Sequence, residues 1–514
     1  MSAQAIDADI VLKGAKIFDG TGADSIVGDL AIKKSRIVAY GTFESKNVTW
    51  TIDCTGLVVA PGFIDLHNHS DFRVVRRSHR SVNNYLMQGC TTIVTGNCGS
   101  GPIDVADYFK KIAGAGVGPN VIHLLPQGKL REEVIGNTRR PARPEELNEM
   151  LRLADKAMRD GAWGMSTGLI YVPSSYADTA ELTAIASVVA KHGGFYASHI
   201  RNEGKDLLSA VDEAMRIGRG AGCPVHISHF KSSGRDSWGL VREAARRIQT
   251  ARNAGQVVTA DQYPYIASST SLSATLLPSW AREGGDMAMT KRLDDPKTGK
   301  SLRSRIKSSI DKREGGRSVR IARYQPNPKW IGQSLFTIAE RENKSPLDIA
   351  IEILRGGGAQ IVNFSMNEDD VRHIMKIDWV ATASDGGAQI PSSDKPHPRN
   401  YGTFPRKVGH YAIAEKVIAE KFAIRSATGL PAKILGLTDR GTIRPGNVAD
   451  IVVYDPTTFR DAATFDDPHQ FSHGLRHVFV NGKAAVYNGS PTGDRPGEVL
   501  KHRSLLRSAR KSAD

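Results

Sequence analysis

Six residues of metal-ligand and proton-carrying type stand at the ends of apolar runs in this chain. The run 57–66 leads into His67-Asn68-His69. Residues two apart on an extended chain point the same way, so His67 and His69 can project together. Val94-Thr95-Gly96-Asn97 leads into Cys98, Tyr196-Ala197-Ser198 into His199, His226-Ile227-Ser228 into His229, and Ala383-Ser384 into Asp385. Imidazole and thiolate ligands together suit zinc. A carboxylate beside them can take a proton from metal-bound water. Each residue alone has an ordinary explanation. His199 could be a hydrogen-bonded core histidine, Cys98 a small buried hydrophobe, and Asp385 the turn residue of Ser-Asp-Gly. Their shared position at successive run ends is what those separate explanations leave out. His226 lies three before His229, so on a strand the two face opposite ways, and His229, nearer the run's end, is the expected ligand.

Something must hold these ends together. Apolar runs at 57–66, 91–96, 120–125, 162–166, 194–198, 224–228, 257–261 and 379–384 alternate with amphipathic stretches such as 143–159 and 206–219. That alternation is the signal of βα units and a parallel sheet. The expected fold is α/β, a TIM-type (β/α)8 barrel, whose active-site face is the C-terminal end of the strands. The seventh strand has two candidates, 257–261 and 361–366. Both chain ends read differently, as short strands and turns without helices between them, from Asp9-Ile10-Val11-Leu12 to His477-Val478-Phe479-Val480. The expected organisation is a small β domain built from 1–60 and 431–498, a barrel over 61–430, an inserted lid subdomain at about 285–345, and a basic tail at 499–514.

The chain has 514 residues, 40% of them hydrophobic, enough for a large core and too long for one ordinary domain. Its 69 basic and 54 acidic residues give a net charge of +15. The excess concentrates at 291–329, with 13 Lys/Arg against 4 Asp/Glu, and in the tail. No nucleic-acid motif accompanies either stretch, so solvated basic faces are expected and nucleic acid is not an expected partner. Cys54, Cys90, Cys98 and Cys223 are too sparse for a disulfide framework. No run has signal-peptide or membrane-span character, so no membrane partner and a reducing, cytoplasmic setting are expected.

Two other nucleophiles compete with the metal reading. Gly164-Met165-Ser166-Thr167-Gly168 has the G-x-S-x-G spacing of a nucleophile elbow, but the segment after it carries Tyr-Val-Pro-Ser-Ser and not a helix start. Cys98 could act as a thiolate nucleophile with a histidine base. Either reading leaves most of the histidines idle.

The chain resembles the N-acyl-D-amino-acid deacylases of the amidohydrolase superfamily over nearly its whole length. The likeness is carried by Pro-Gly-Phe-Ile-Asp-Leu-His-Asn-His-Ser-Asp at 61–71, Gly-Asn-Cys-Gly at 96–99, Ser-Thr-Gly-Leu-Ile-Tyr at 166–171 and Ser-His-Ile-Arg-Asn-Glu-Gly at 198–204. Ile-Ser-His-Phe-Lys at 227–231, Asp-Gln-Tyr-Pro-Tyr at 261–265, Ser-Asp-Gly at 384–386 and His-Pro-Arg-Asn-Tyr-Gly-Thr-Phe-Pro-Arg at 397–406 complete it. The resemblance implies that Cys98, His199 and His229 hold a tight zinc ion. It makes His67 and His69 ligands of a second, weaker or sometimes empty position, and Asp385 the catalytic acid/base. It assigns Tyr171, Lys231, Tyr263 and Arg399 to the carboxylate of a small-molecule N-acyl amino acid substrate. The D-preference is implied by the family alone. The segment 386–394 is longer than the family's usual one, which leaves the pocket wall open.

The implied reaction is hydrolysis of the amide of an N-acyl-D-amino acid by metal-activated water. The runner-up is a cyclic-amide hydrolase of the dihydropyrimidinase or dihydroorotase kind. Those enzymes usually bridge two metals with a carbamylated lysine from the fourth strand, and the run 161–166 has no lysine. A non-catalytic scaffold on the same fold is the third reading, and the full set of ligand types argues against it.

Overall fold

The structure is a computed structural model and describes residues 5–503. Part of the basic tail, 504–514, therefore lies outside the described residues.

The strands alternate in what they touch. Phe63, Ile93, Val121, Met165 and Tyr196 join one buried cluster shared with the surrounding helices. Their chain neighbours Ile64, Val94, Ile122 and Ala197 join another. That period of two puts opposite faces of each strand into different cores. Phe63–Asp65, Cys90–Thr95 and Asn120–His123 pair in parallel. Leu125–Pro126, Gly164–Gly168, Phe195–His199, Val225–Ile227, Val258–Gln262 and Val380–Thr382 form a second parallel succession. The two sets meet within 120–126, because Leu124 N–H donates to Thr95 at 2.9 Å while Trp163 N–H donates to His123 at 3.0 Å. The last run also returns to the first. Asp385 N–H donates to His67 O at 2.8 Å, His69 N–H donates to Gly386 O at 2.6 Å, and Asn68 and Gly386 form a parallel bridge.

Val258–Gln262 sits between Val225–Ile227 and Val380–Thr382 in this succession. The other candidate, Gln360–Phe364, pairs antiparallel with Ala267–Ser271 and Val319–Arg323 in a separate sheet. Helices cover the parallel strands. Thr179–Lys191 shows why they form: Asp178 caps the first turn by accepting from Glu181 N–H, and Leu182, Ile185, Ala186 and Val189 are buried at helical spacing.

The small antiparallel sheet belongs to a unit with its own core, including Leu302, Ile306, Trp330, Ile349 and Ile353. The first and last strands of this sheet in chain order pair Ala267 with Phe364, so the unit is wider than the 285–345 read from sequence. The basic stretch is explained here. Helix Pro296–Asp311 buries Leu302, Ile306 and Ile310 and exposes Lys297, Lys300, Arg305 and Lys307.

The chain ends share one sheet. Val58–Pro61 pairs in parallel with Ile10–Ile17 and antiparallel with Ile451–Tyr454. Leu475–Val480 and Lys483–Tyr487 continue it on one side, Ile26–Lys33 and Arg36–Gly41 on the other. Among the described residues no helix is long and apolar enough to cross a membrane.

Candidate metal centre

The candidate ligands converge at the C-terminal ends of the parallel strands. Cys98 Sγ lies 3.2 Å from His67 Nε2, 3.5 Å from His199 Nδ1 and 3.6 Å from His229 Nε2. His199 Nδ1 and His229 Nε2 are 2.9 Å apart. His69 Nε2 lies 3.1 Å from Asp385 Oδ1, and His67 Nε2 lies 3.6 Å from the same oxygen. Tetrahedral zinc with Zn–N near 2.1 Å and Zn–S near 2.3 Å sets its donors roughly 3.4–3.6 Å apart. Cys98 stands at that spacing from both His199 and His229, the two imidazole nitrogens lie closer together at 2.9 Å, and one soft sulfur with two imidazoles is a zinc-type donor set. The buried Nε2 of His199 has no hydrogen-bond partner, and Nδ1 faces Cys98. These residues fit a zinc ion. His67, His69 and Asp385 make an adjacent second group of donors.

The backbone is bent to bring them there. Cys98, His229 and Asp385 all have left-handed φ, at 51°, 37° and 51°. For a non-glycine residue that costs about 1–2 kcal/mol. Neighbours hold each one. His229 N–H donates to Asp261 Oδ1 at 2.7 Å, and Asp385 N–H to His67 O at 2.8 Å. Around Cys98, Asn97 Nδ2 donates to Val94 O at 2.9 Å and Gly99 N–H to Ser166 Oγ at 3.0 Å. Gly96 must be glycine: its φ is 80°, and a Cβ would stand 2.1 Å from Leu124 O. Ser166 also donates to Gly96 O, so the nucleophile-elbow serine is a buried strut for the Cys98 loop.

Three carboxylates that sequence reasoning gave no role complete the arrangement. Asp261 accepts from His229 N–H, contacts His226 Nε2 at 2.8 Å and lies 3.5 Å from His67 Nδ1. Burial pushes its carboxyl up, but His67 and His226 together hold it far below the usual range. Glu203 lies 2.8 Å from His229 Nδ1 and 2.5 Å from Lys231 Nζ. Asp65 accepts Ser384 N–H at 2.8 Å and Asn68 Nδ2 at 2.9 Å, tying the His67 and Asp385 segments together. Burial raises its carboxyl to about 6. The available signal was position: Asp261 ends its own apolar run, and Glu203 comes after His199 by one helical turn's spacing.

Around Asp385, burial raises the carboxyl and Arg399, with three histidines, outweighs it, so Asp385 is held well below the usual range. Arg399 Nη1 is 2.8 Å from Asp385 Oδ2. A cavity of about 540 Å³ opens here, lined by His69, Cys98, Tyr171, Asp385 and Arg399. The Tyr171 hydroxyl hydrogen-bonds Thr270 Oγ1 at 2.9 Å. Lys231 and Tyr263 line a separate small cleft with His229. The Tyr263 ring links the two regions, with Arg399 4.6 Å and Lys231 5.5 Å from its centroid. Its buried hydroxyl has no hydrogen-bond partner.

Residues 51–486 match the model of the amidohydrolase family. D-aminoacylase of Alcaligenes xylosoxydans xylosoxydans is 34% identical, over 96% of this chain and 97% of its own. A solved N-acyl-D-glutamate deacylase from Bordetella bronchiseptica, complexed with zinc and a phosphonate mimic of the tetrahedral intermediate, superposes with TM-score 0.83 at 32% identity, over 96% of this chain and 100% of that one. A solved D-aminoacylase, described by its binuclear metal centre with one-metal activation and second-metal attenuation, gives TM-score 0.82 at 33% identity over the same shares. This chain therefore belongs to the amidohydrolase family, in its N-acyl-D-amino-acid deacylase branch.

Proposed function

We propose that this chain is a zinc-dependent enzyme that hydrolyses N-acyl-D-amino acids to a carboxylate and a D-amino acid. The observation that carries the reading is the convergence of Cys98, His199 and His229 with Asp385 and Arg399 beside them. Cys98, His199 and His229 would hold the tight zinc ion, and His67 and His69 a second, weaker position. Zinc, when bound, lowers the pKa of water and polarises an amide carbonyl. Asp385, kept ionised by Arg399 and the histidines, takes the proton from the attacking water. It then delivers that proton to the amide nitrogen, because an amine leaves poorly unless protonated. Arg399 and Tyr171 hold the substrate's α-carboxylate at the cavity wall, with Lys231 and Tyr263 behind them. The buried, unpaired Nε of Arg399 and hydroxyl of Tyr263 support that assignment. Asp261 and Glu203 orient His67 and His229 from the far side.

The same reading takes the eight parallel runs as a closed (β/α)8 barrel over 61–430, supported by the Asn68–Gly386 bridge. The sheet joining the chain ends is its small β domain, 1–60 with 431–498. The 267–364 unit is its lid, supported by Ser269, Ala322 and Gln360 in the cavity wall. A reducing, cytoplasmic setting is supported by the four unpaired, buried cysteines.

The test is amine release from N-acetyl-D-methionine, N-acetyl-D-glutamate and their L-enantiomers by protein of counted zinc content. D-selective turnover that chelation abolishes and zinc restores is the expected result. Zinc-replete protein that cleaves none of the four contradicts the reading.

A further inference from the structure

The cavity that receives Asp385 and Arg399 has a second cationic wall. Arg73 lies just beyond His69, half-buried, and its Nη1 donates to Ala388 O at 2.8 Å. Arg323 ends the strand Val319–Arg323 of the inserted unit, and its neighbour Ala322 accepts from Lys395 N–H at 2.9 Å. The long segment after Asp385 therefore carries the anchor of one arginine and lies beside the other. Both arginines line the cavity.

Neither has an ion-pair partner within 4.0 Å among the described residues. The nearby charges do not cancel them. Lys129 and Glu132, which also line the cavity, close on each other at 2.5 Å. Asp385 is paired with Arg399, which leaves Asp394 as one acid against two arginines. Burial pushes the Arg73 guanidinium below its ordinary value, and Arg323 is the next cause, as expected for like charges sharing one wall. Such a pair is stabilised by an anion that bridges or neutralises it.

Building on the amide-hydrolase reading, we propose that the cavity selects N-acyl amino acids carrying a second carboxylate, with Arg73 and Arg323 as the residues that recognise it. Arg399 takes the α-carboxylate near the metal centre. Arg73 and Arg323 take the other carboxylate, on the amino-acid side chain or on the acyl group. The cavity, about 540 Å³, lies within the range of pockets that enclose small ligands.

The experiment uses the zinc-loaded full chain and two substrate pairs. N-acetyl-D-glutamate against N-acetyl-D-glutamine tests a side-chain carboxylate. N-succinyl-D-methionine against N-succinamoyl-D-methionine tests an acyl carboxylate. The expected result is a kcat/KM ratio of about tenfold or more for the charged member of one pair, and that pair identifies the source. The ratio falls toward one in Arg73→Gln and Arg323→Gln, and falls with added salt in the unmodified protein. Arg323 is exposed, so Arg323→Gln keeps the test open if Arg73→Gln fails to fold. Ratios near one in both pairs, with the neutral members cleaved, overturn the inference and leave the amide-hydrolase reading standing. A high ratio unchanged in both variants overturns the assignment to these arginines. Cleavage of no member sinks the underlying reading and the inference with it.

Discussion

The same backbone conformation occurs in two regions of this molecule for different reasons. In the sheet made by the chain ends, left-handed residues are Lys34, Asn47, Asn481 and Asn488. They sit at turns, where asparagine tolerates positive φ and the cost is small. At the C-terminal ends of the parallel strands the left-handed residues are Cys98, His229 and Asp385, all buried or nearly so. Of the three only Asp385, in Ser-Asp-Gly, is of a type that visits this conformation readily. Each is held by hydrogen bonds from the neighbouring strand end or loop. One region bends to reverse the chain; the other bends to aim side chains at a common point. Strain of the second sort marks a functional site when the side chains so aimed make a chemically sensible set.

That contrast can be broken at several points. The largest effect is expected from Cys98→Ala. It removes the sulfur that faces His67, His199 and His229 at 3.2–3.6 Å, so the protein should retain little zinc after dialysis and lose turnover. Metal analysis beside a progress curve checks it, and full zinc occupancy would show that Cys98 is not a ligand. Asp261→Asn should act less severely. It leaves the ligands in place and disturbs their orientation, so zinc affinity should fall by about 10–100-fold, read by competition with a chromogenic chelator. The smallest effect belongs to the other region. Lys34→Gly should change unfolding stability by less than about 1 kcal/mol in denaturant titration, because relief of positive φ and added unfolded-state freedom oppose each other. A large loss there would mean that the turns of the terminal sheet also store strain.

The ends of the strands are legible in the sequence because apolar runs and ligand-type residues are both local patterns. His67, His69, Cys98, His199, His229 and Asp385 stand out because each lies within three residues of the end of an apolar run. Glu203 does not stand out, since a lone acid in sequence looks like a solvated surface group, and Asp261 and Asp65 lie in apolar runs that do not show what they bind. Their roles depend on partners far along the chain, such as Asp65 with Ser384. The extent of the inserted unit is hidden for the same reason. Its first and last strands in chain order, Ala267–Ser271 and Gln360–Phe364, are short, and only their pairing with each other shows where the unit begins and ends. Strand alternation would point Lys231 to the ligand side. Its ammonium instead meets Glu203 and the back of His229, because the strand ends at Ile227 and the chain turns at His229.

The most direct test of the proposed mechanism is Asp385→Asn, with zinc counted and kcat measured on the same sample. Asn keeps the shape and gives up the proton-accepting charge. The predicted result is zinc content equal to that of the unmodified protein and a kcat lower by about 100-fold or more. Normal zinc with near-normal kcat would contradict it, and would move proton transfer to another group.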